Sequence, residues 1–71
     1  MKMQKWIDLL NSMGIDFTEY SNQYIDIYGY GLNTVKFEQI IASKCVKHSR
    51  WEAQGQEIYR MADGTEITIL L

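Results

Sequence analysis

Proline is absent from this 71-residue chain, and cysteine occurs once, at Cys45. A single cysteine cannot close an internal disulfide, whereas small secreted domains generally rely on several. A reducing, cytoplasmic compartment is therefore expected. Long apolar runs are missing too: the stretch that follows Lys2 and Lys5 is interrupted by Asp8, Asn11 and Ser12. A membrane span needs roughly 18 apolar residues, and a secretory signal needs an unbroken apolar region and a small-residue cleavage site. Neither is expected, and no membrane partner follows. The five glycines are scattered at positions 14, 29, 31, 55 and 64 and mark no linker, repeat or low-complexity segment.

Charge of one sign is also scarce. The formal net charge is −2 and the isoelectric point about 5.2, so the overall basic footprint of a nucleic-acid binder is lacking. The chain is long enough for one domain, residues 1–71, with 46% hydrophobic and 23% charged residues. That composition folds rather than staying disordered. A domain near 60 residues buries only about 60% of its unfolded surface, so almost every apolar side chain is needed for a single core.

Motifs that carry catalysis are missing as well. There is no phosphate-cradling G-x-x-x-x-G-K-[ST] loop, no dinucleotide G-x-G-x-x-G and no nucleophile elbow G-x-S-x-G. Gly29-Tyr30-Gly31 is too short to hold a phosphate. Cys45 and His48 stand three apart, which on a helix would make a nucleophile pair or half a metal site. A closed zinc site needs four ligands, and a cysteine on an apolar stripe normally packs as a small core residue. Asp16 and Asp26 fall near each other on one hairpin but read as solvated charges. No catalytic residue, metal or cofactor is expected, and the protein is read as a non-enzyme.

What is present is clear hydrophobic periodicity. Met3, Trp6, Ile7, Leu10 and Met13 follow the i, i+3, i+4, i+7 rule, which predicts a helix over 2–13 closed by Gly14. Ile15–Tyr20 and 24–30 then alternate. A three-residue loop, Ser21-Asn22-Gln23, pairs Phe17 with Ile27 and Tyr20 with Tyr24, whereas a two-residue loop would split the apolar face. Asn33 or Thr34 is placed to cap a second helix, on which Phe37, Ile40, Ile41, Lys44 and Cys45 share the period. Asp63-Gly64 predicts a two-residue hairpin pairing Ala62 with Thr65 and Ile58 with Ile69. Gln54-Gly55 predicts another, with Trp51 against Ile58. Both turns put Trp51, Ile58 and Ile69 in one core row.

The expected fold is a small α+β domain of order α-β-β-α-β-β-β: an antiparallel sheet of four or five strands with two helices on one face. If a helix runs on through His48 and Trp51, one strand is lost. The bare face then receives Tyr20, Tyr24, Tyr28, Tyr30 and Tyr59, every tyrosine in the chain, with Asp26 and Arg50 among them. Tyrosine and arginine are enriched in interface hot spots, although tyrosines also stabilise an open sheet through cross-strand pairs. The functional expectation is a protein-binding module, of the surface-blocking inhibitor or accessory type that phages and other mobile elements use. Its contact residues would be Tyr20, Tyr24, Asp26, Tyr28, Tyr30, Arg50 and Tyr59.

The alternative expectation is a weak single-strand nucleic-acid platform, with Lys44, Lys47, His48, Arg50 and Arg60 beside the aromatics. The run Ile67-Thr68-Ile69-Leu70-Leu71 is apolar and ungated. As a sheet edge, residues 65–71 would support a homodimer.

Overall fold

The computed structural model describes residues 3–20, 23–29 and 31–70. The elements run α1 (Gln4–Ser12), β1 (Phe17–Tyr20), β2 (Tyr24–Tyr28), α2 (Leu32–Lys44), β3 (Lys47–Trp51), β4 (Gln56–Arg60) and β5 (Glu66–Leu70). The α+β architecture with five strands is thus the one formed, and His48 and Trp51 lie on a strand rather than a helix.

Helix α1 buries Trp6, Ile7 and Leu10. It ends because Gly14 adopts φ +68° and turns the chain. The Gly14 N–H donates to the Asn11 carbonyl at 3.2 Å and the Ile15 N–H to that of Leu10 at 3.0 Å. These are the two bonds of a Schellman cap, and burial of both Leu10 and Ile15 supplies its usual apolar contact. Helix α2 buries Thr34, Phe37 and Ile41 on one narrow stripe. Neither Asn33 nor Thr34 caps it; Gly31 precedes its first turn. Asn33 instead donates from Nδ2 to the Met13 carbonyl at 2.7 Å, tying the end of α1 to the start of α2.

The strand order is β1-β2-β5-β4-β3. Three neighbouring pairs are antiparallel and β2·β5 is parallel, so the sheet is mixed rather than wholly antiparallel. The first hairpin has the expected register, Phe17 opposite Ile27 and Tyr20 opposite Tyr24. Gln23, the described residue of its loop, takes φ 65°.

Strand β5 corrects a second expectation. It lies between β2 and β4 and is not an edge, so the proposed dimer through residues 65–71 has no free strand to use. Ile67 and Ile69 are fully buried beside Ile25 and Ile27. Lacking a gatekeeper charge is appropriate for a strand paired on both sides.

The two later hairpins also differ from expectation. The β4–β5 loop has three residues, Ala62-Asp63-Gly64: the Met61 N–H donates to Thr65 O at 2.8 Å, and the Gly64 N–H to Met61 O at 3.0 Å. A two-residue turn of the mirror-image type would need positive φ at Asp63, and among the described non-glycine residues only Gln23 has it. Asp63 instead accepts the Thr65 N–H at 2.8 Å and the Trp6 indole N–H at 3.0 Å. Tyr59 therefore pairs with Ile67, and Ile58 with Thr68.

This one-residue slip exchanges the faces of β4. Tyr59 and Met61 enter the core and Ile58 leaves it. Burial of each large side chain stabilises by about 1.5–3 kcal/mol, so the exchange favours the observed register. Between β3 and β4, a short 3-10 turn (Glu52–Gln54) and Gly55 at φ 65° make a four-residue connection. Trp51 then faces Gln56, not Ile58.

Candidate interaction face

The registers fix which side chains share a face, because residues directly opposite across a sheet point the same way. On the side packed against the helices, one row is Glu19, Ile25, Ile67, Tyr59 and His48, and the next is Phe17, Ile27, Ile69, Glu57 and Arg50. On the opposite side the rows are Tyr20, Tyr24, Glu66, Arg60 and Lys47; then Thr18, Asp26, Thr68, Ile58 and Ser49; then Tyr28, Leu70, Gln56 and Trp51.

Among the described residues, no helix covers this second face. Tyr20, Tyr24, Tyr28 and Trp51 are 45%, 42%, 49% and 55% exposed. They frame a half-buried centre of Asp26, Ile58, Thr68 and Leu70. A shallow depression of about 530 Å³ lies over it, lined by Tyr20, Tyr24, Asp26, Gln56, Ile58, Glu66 and Thr68. The hydroxyls of Tyr20 and Tyr28 are 3.5 Å apart. That contact and nearby Asp26 push the Tyr20 hydroxyl up to about 12. Arg60 approaches Glu66 at 3.4 Å. The charges on the face, Lys47 and Arg60 against Asp26 and Glu66, sum to zero.

The expected contact set is therefore partly assembled. Tyr20, Tyr24, Asp26 and Tyr28 stand together, while Tyr30 lies outside the described residues. Tyr59 and Arg50 are corrections: both are on the helix side. Tyr59 is buried and its hydroxyl donates to Glu38 Oε2 on α2 at 2.6 Å. Trp51 takes the vacated place on the bare face. Sequence reasoning put it in the core because it assumed two-residue loops; the exposed indole follows from the longer connections.

Arg50 and His48 are engaged elsewhere. Both contact Glu57, a buried carboxylate: His48 Nε2 lies 2.7 Å from Oε1, and Arg50 Nε donates to Oε2. A carboxylate can only accept, so Nε2 carries the histidine proton. Burial alone would raise the Glu57 carboxyl, but the hydrogen bonds from His48 and Arg50 outweigh it and hold the group below the usual range. The same contact raises Arg50.

The proposed nucleic-acid set is thereby divided. Lys44 ends α2, Lys47 and Arg60 are on the bare face, and His48 and Arg50 are on the other side over Glu57. The Cys45–His48 pair is not assembled either: the Cys45 thiol donates to the Ala42 carbonyl at 3.5 Å, and His48 turns to Glu57. Among the described residues, no group of three or more His, Cys, Asp or Glu side chains could hold a metal ion. No helix of the described residues is long and apolar enough to cross a membrane. No family model matches the chain, no curated protein is similar to it, and no solved structure matches it.

Proposed function

We propose that this is a non-enzymatic protein-binding module that works by occupying a partner's surface with its bare sheet face. The carrying observation is the set of four exposed aromatics, Tyr20, Tyr24, Tyr28 and Trp51, on the side of the sheet that the helices leave uncovered. Tyrosine and tryptophan bury much area while losing few rotatable bonds, and both anchor interface hot spots. A charge-balanced centre suits a protein surface better than a phosphate backbone, whose binding depends on unpaired cations. A surface-blocking inhibitor or accessory protein of a reducing compartment, in which Cys45 stays a free thiol, is the form this activity takes.

The test passes the tagged protein and its Tyr28→Ala/Trp51→Ala variant through native-host lysate, with and without nuclease. Under this reading a stoichiometric protein survives nuclease on the parent and is lost from the variant, whose melting temperature stays within a few degrees. Equal retention by both forms removes the bare face from the reading. Capture of nucleic acid alone favours the stacking platform.

A further inference from the structure

We propose that the outer edge of β3 accepts an extended, acidic segment of a protein partner as a sixth strand. The inference rests on the reading of the domain as a protein-binding module and names the chemistry of what it binds. Strand β3 ends the sheet and pairs only with β4, and all five of its residues are exposed. An edge strand presents a row of unpaired backbone N–H and C=O groups, which an added strand can use for main-chain hydrogen bonds.

The strand itself carries charge of one sign, although Glu57 of β4 contacts His48 and Arg50 and Glu52 follows Trp51. Residues 44–51 contain Lys44, Lys47 and Arg50 and no carboxylate, although the whole chain is acidic. Arg50 is held by Glu57 yet keeps its side chain 60% exposed. Lys44 and Lys47 form no ion pair among the described residues. Val46 and Trp51, both largely exposed, flank the strand with apolar surface at either end.

The opposite edge differs. There β1 carries Glu19 and is preceded by Asp16, both exposed, so an acidic segment is repelled from it and steered to β3. Pairing β3 with β3 of a second copy would bring the like charges of Lys47 from both chains together with no carboxylate on either strand, which disfavours self-association there.

The probe is a synthetic heptapeptide of alternating glutamate and valine, titrated into the isotope-labelled protein while backbone amide shifts are followed. Saturable shifts centred on residues 46–51 are expected. Raising the salt from about 50 to 300 mM should weaken binding about five-fold or more, as screening of paired charges requires. Lys47→Glu should do the same, and the peptide N-methylated at alternate residues should not bind.

Absence of saturable shifts, or equal binding of the N-methylated peptide, overturns the proposal. Shifts on Tyr20, Tyr24 and Tyr28 in place of β3 also overturn it, while leaving the bare-face reading intact. Conversely, edge binding that persists in a Tyr24→Ala/Tyr28→Ala variant still able to retain its lysate partner sinks the bare-face reading alone.

Discussion

Tyr59 lies flat beneath His48, with ring centroids 4.4 Å apart and planes 1° from parallel. The phenol beneath donates to Glu38 on α2, and the imidazole above is hydrogen-bonded to Glu57 on β4. Strands β3 and β4 and helix α2 therefore meet at one aromatic stack. In this corner the sheet is fastened by polar contacts as well as by the aliphatic core.

Tyr59→Phe should keep the stack and lose the bond to Glu38. A hydrogen bond to a charged group contributes about 1.5–3 kcal/mol, so urea denaturation should show a loss of that size with an unchanged m-value. Tyr59→Ala also opens a cavity and should cost about 3–5 kcal/mol, enough to unfold much of so small a domain. Tyr28→Ala, on the bare face, should stay within about 0.5 kcal/mol of the parent. Equal costs for Tyr28→Ala and Tyr59→Ala would contradict the assignment of the two tyrosines to opposite faces.

Acid should destabilise the fold through two identified carboxylates. Glu57 is held below its usual range, its burial outweighed by His48 and Arg50. Asp63 is also held low, its burial outweighed by the Thr65 N–H, the Trp6 indole and Lys5. For a carboxyl whose folded-state value is depressed, the unfolded chain binds protons first as the pH falls. The contribution is fully present above the unfolded value of about 4 and disappears as pH drops through the lower folded value. The melting temperature should thus be flat from about pH 7 to 5 and fall below about pH 4. In Glu57→Gln the neutral-pH melting temperature should be lower and the acid slope shallower. An acid slope identical to the parent's would remove Glu57 from the account.

The two tryptophans report the register directly. Trp6 is 4% exposed and Trp51 is 55% exposed. Trp51→Phe should leave a blue-shifted emission resistant to acrylamide, and Trp6→Phe a red-shifted emission that acrylamide quenches readily. The opposite assignment would restore the two-residue loops and the core row of Trp51, Ile58 and Ile69.

These registers separate what was legible in the sequence from what was not. The helix of residues 4–12 and its Gly14 stop follow from local spacing and one permissive backbone position. The Phe17–Ile27 pairing was legible because only an odd loop keeps the apolar face whole. Strand β4 offered no such constraint: Ile58 points to one face and Tyr59 and Met61 to the other, so apolar groups lie on both and the turn type had to decide. Asp63-Gly64 suggests a two-residue turn on composition. The Trp6 indole, 57 positions away, is among the groups holding the Asp63 side chain in a different one. Burial of Glu57 was equally hidden, because its stabilising partners His48 and Arg50 reach it only once β3 and β4 are paired. Parity put all five tyrosines on the bare face; Tyr30 lies outside the described residues, and of the other four Tyr20, Tyr24 and Tyr28 fell where expected while Tyr59 followed β4 to the other face.

The central place of β5 governs when this protein can fold at all. It is the last of the strands in chain order, yet it alone joins the β1–β2 hairpin to the β3–β4 hairpin. Isolated two-stranded hairpins are marginal in water. Until residues 66–70 are in place, the two hairpins have no strand between them. A chain cut before Glu66 therefore leaves Ile25 and Tyr59 without Ile67 between them and Ile27 without Ile69, and should be degraded faster in a protease assay than the full chain.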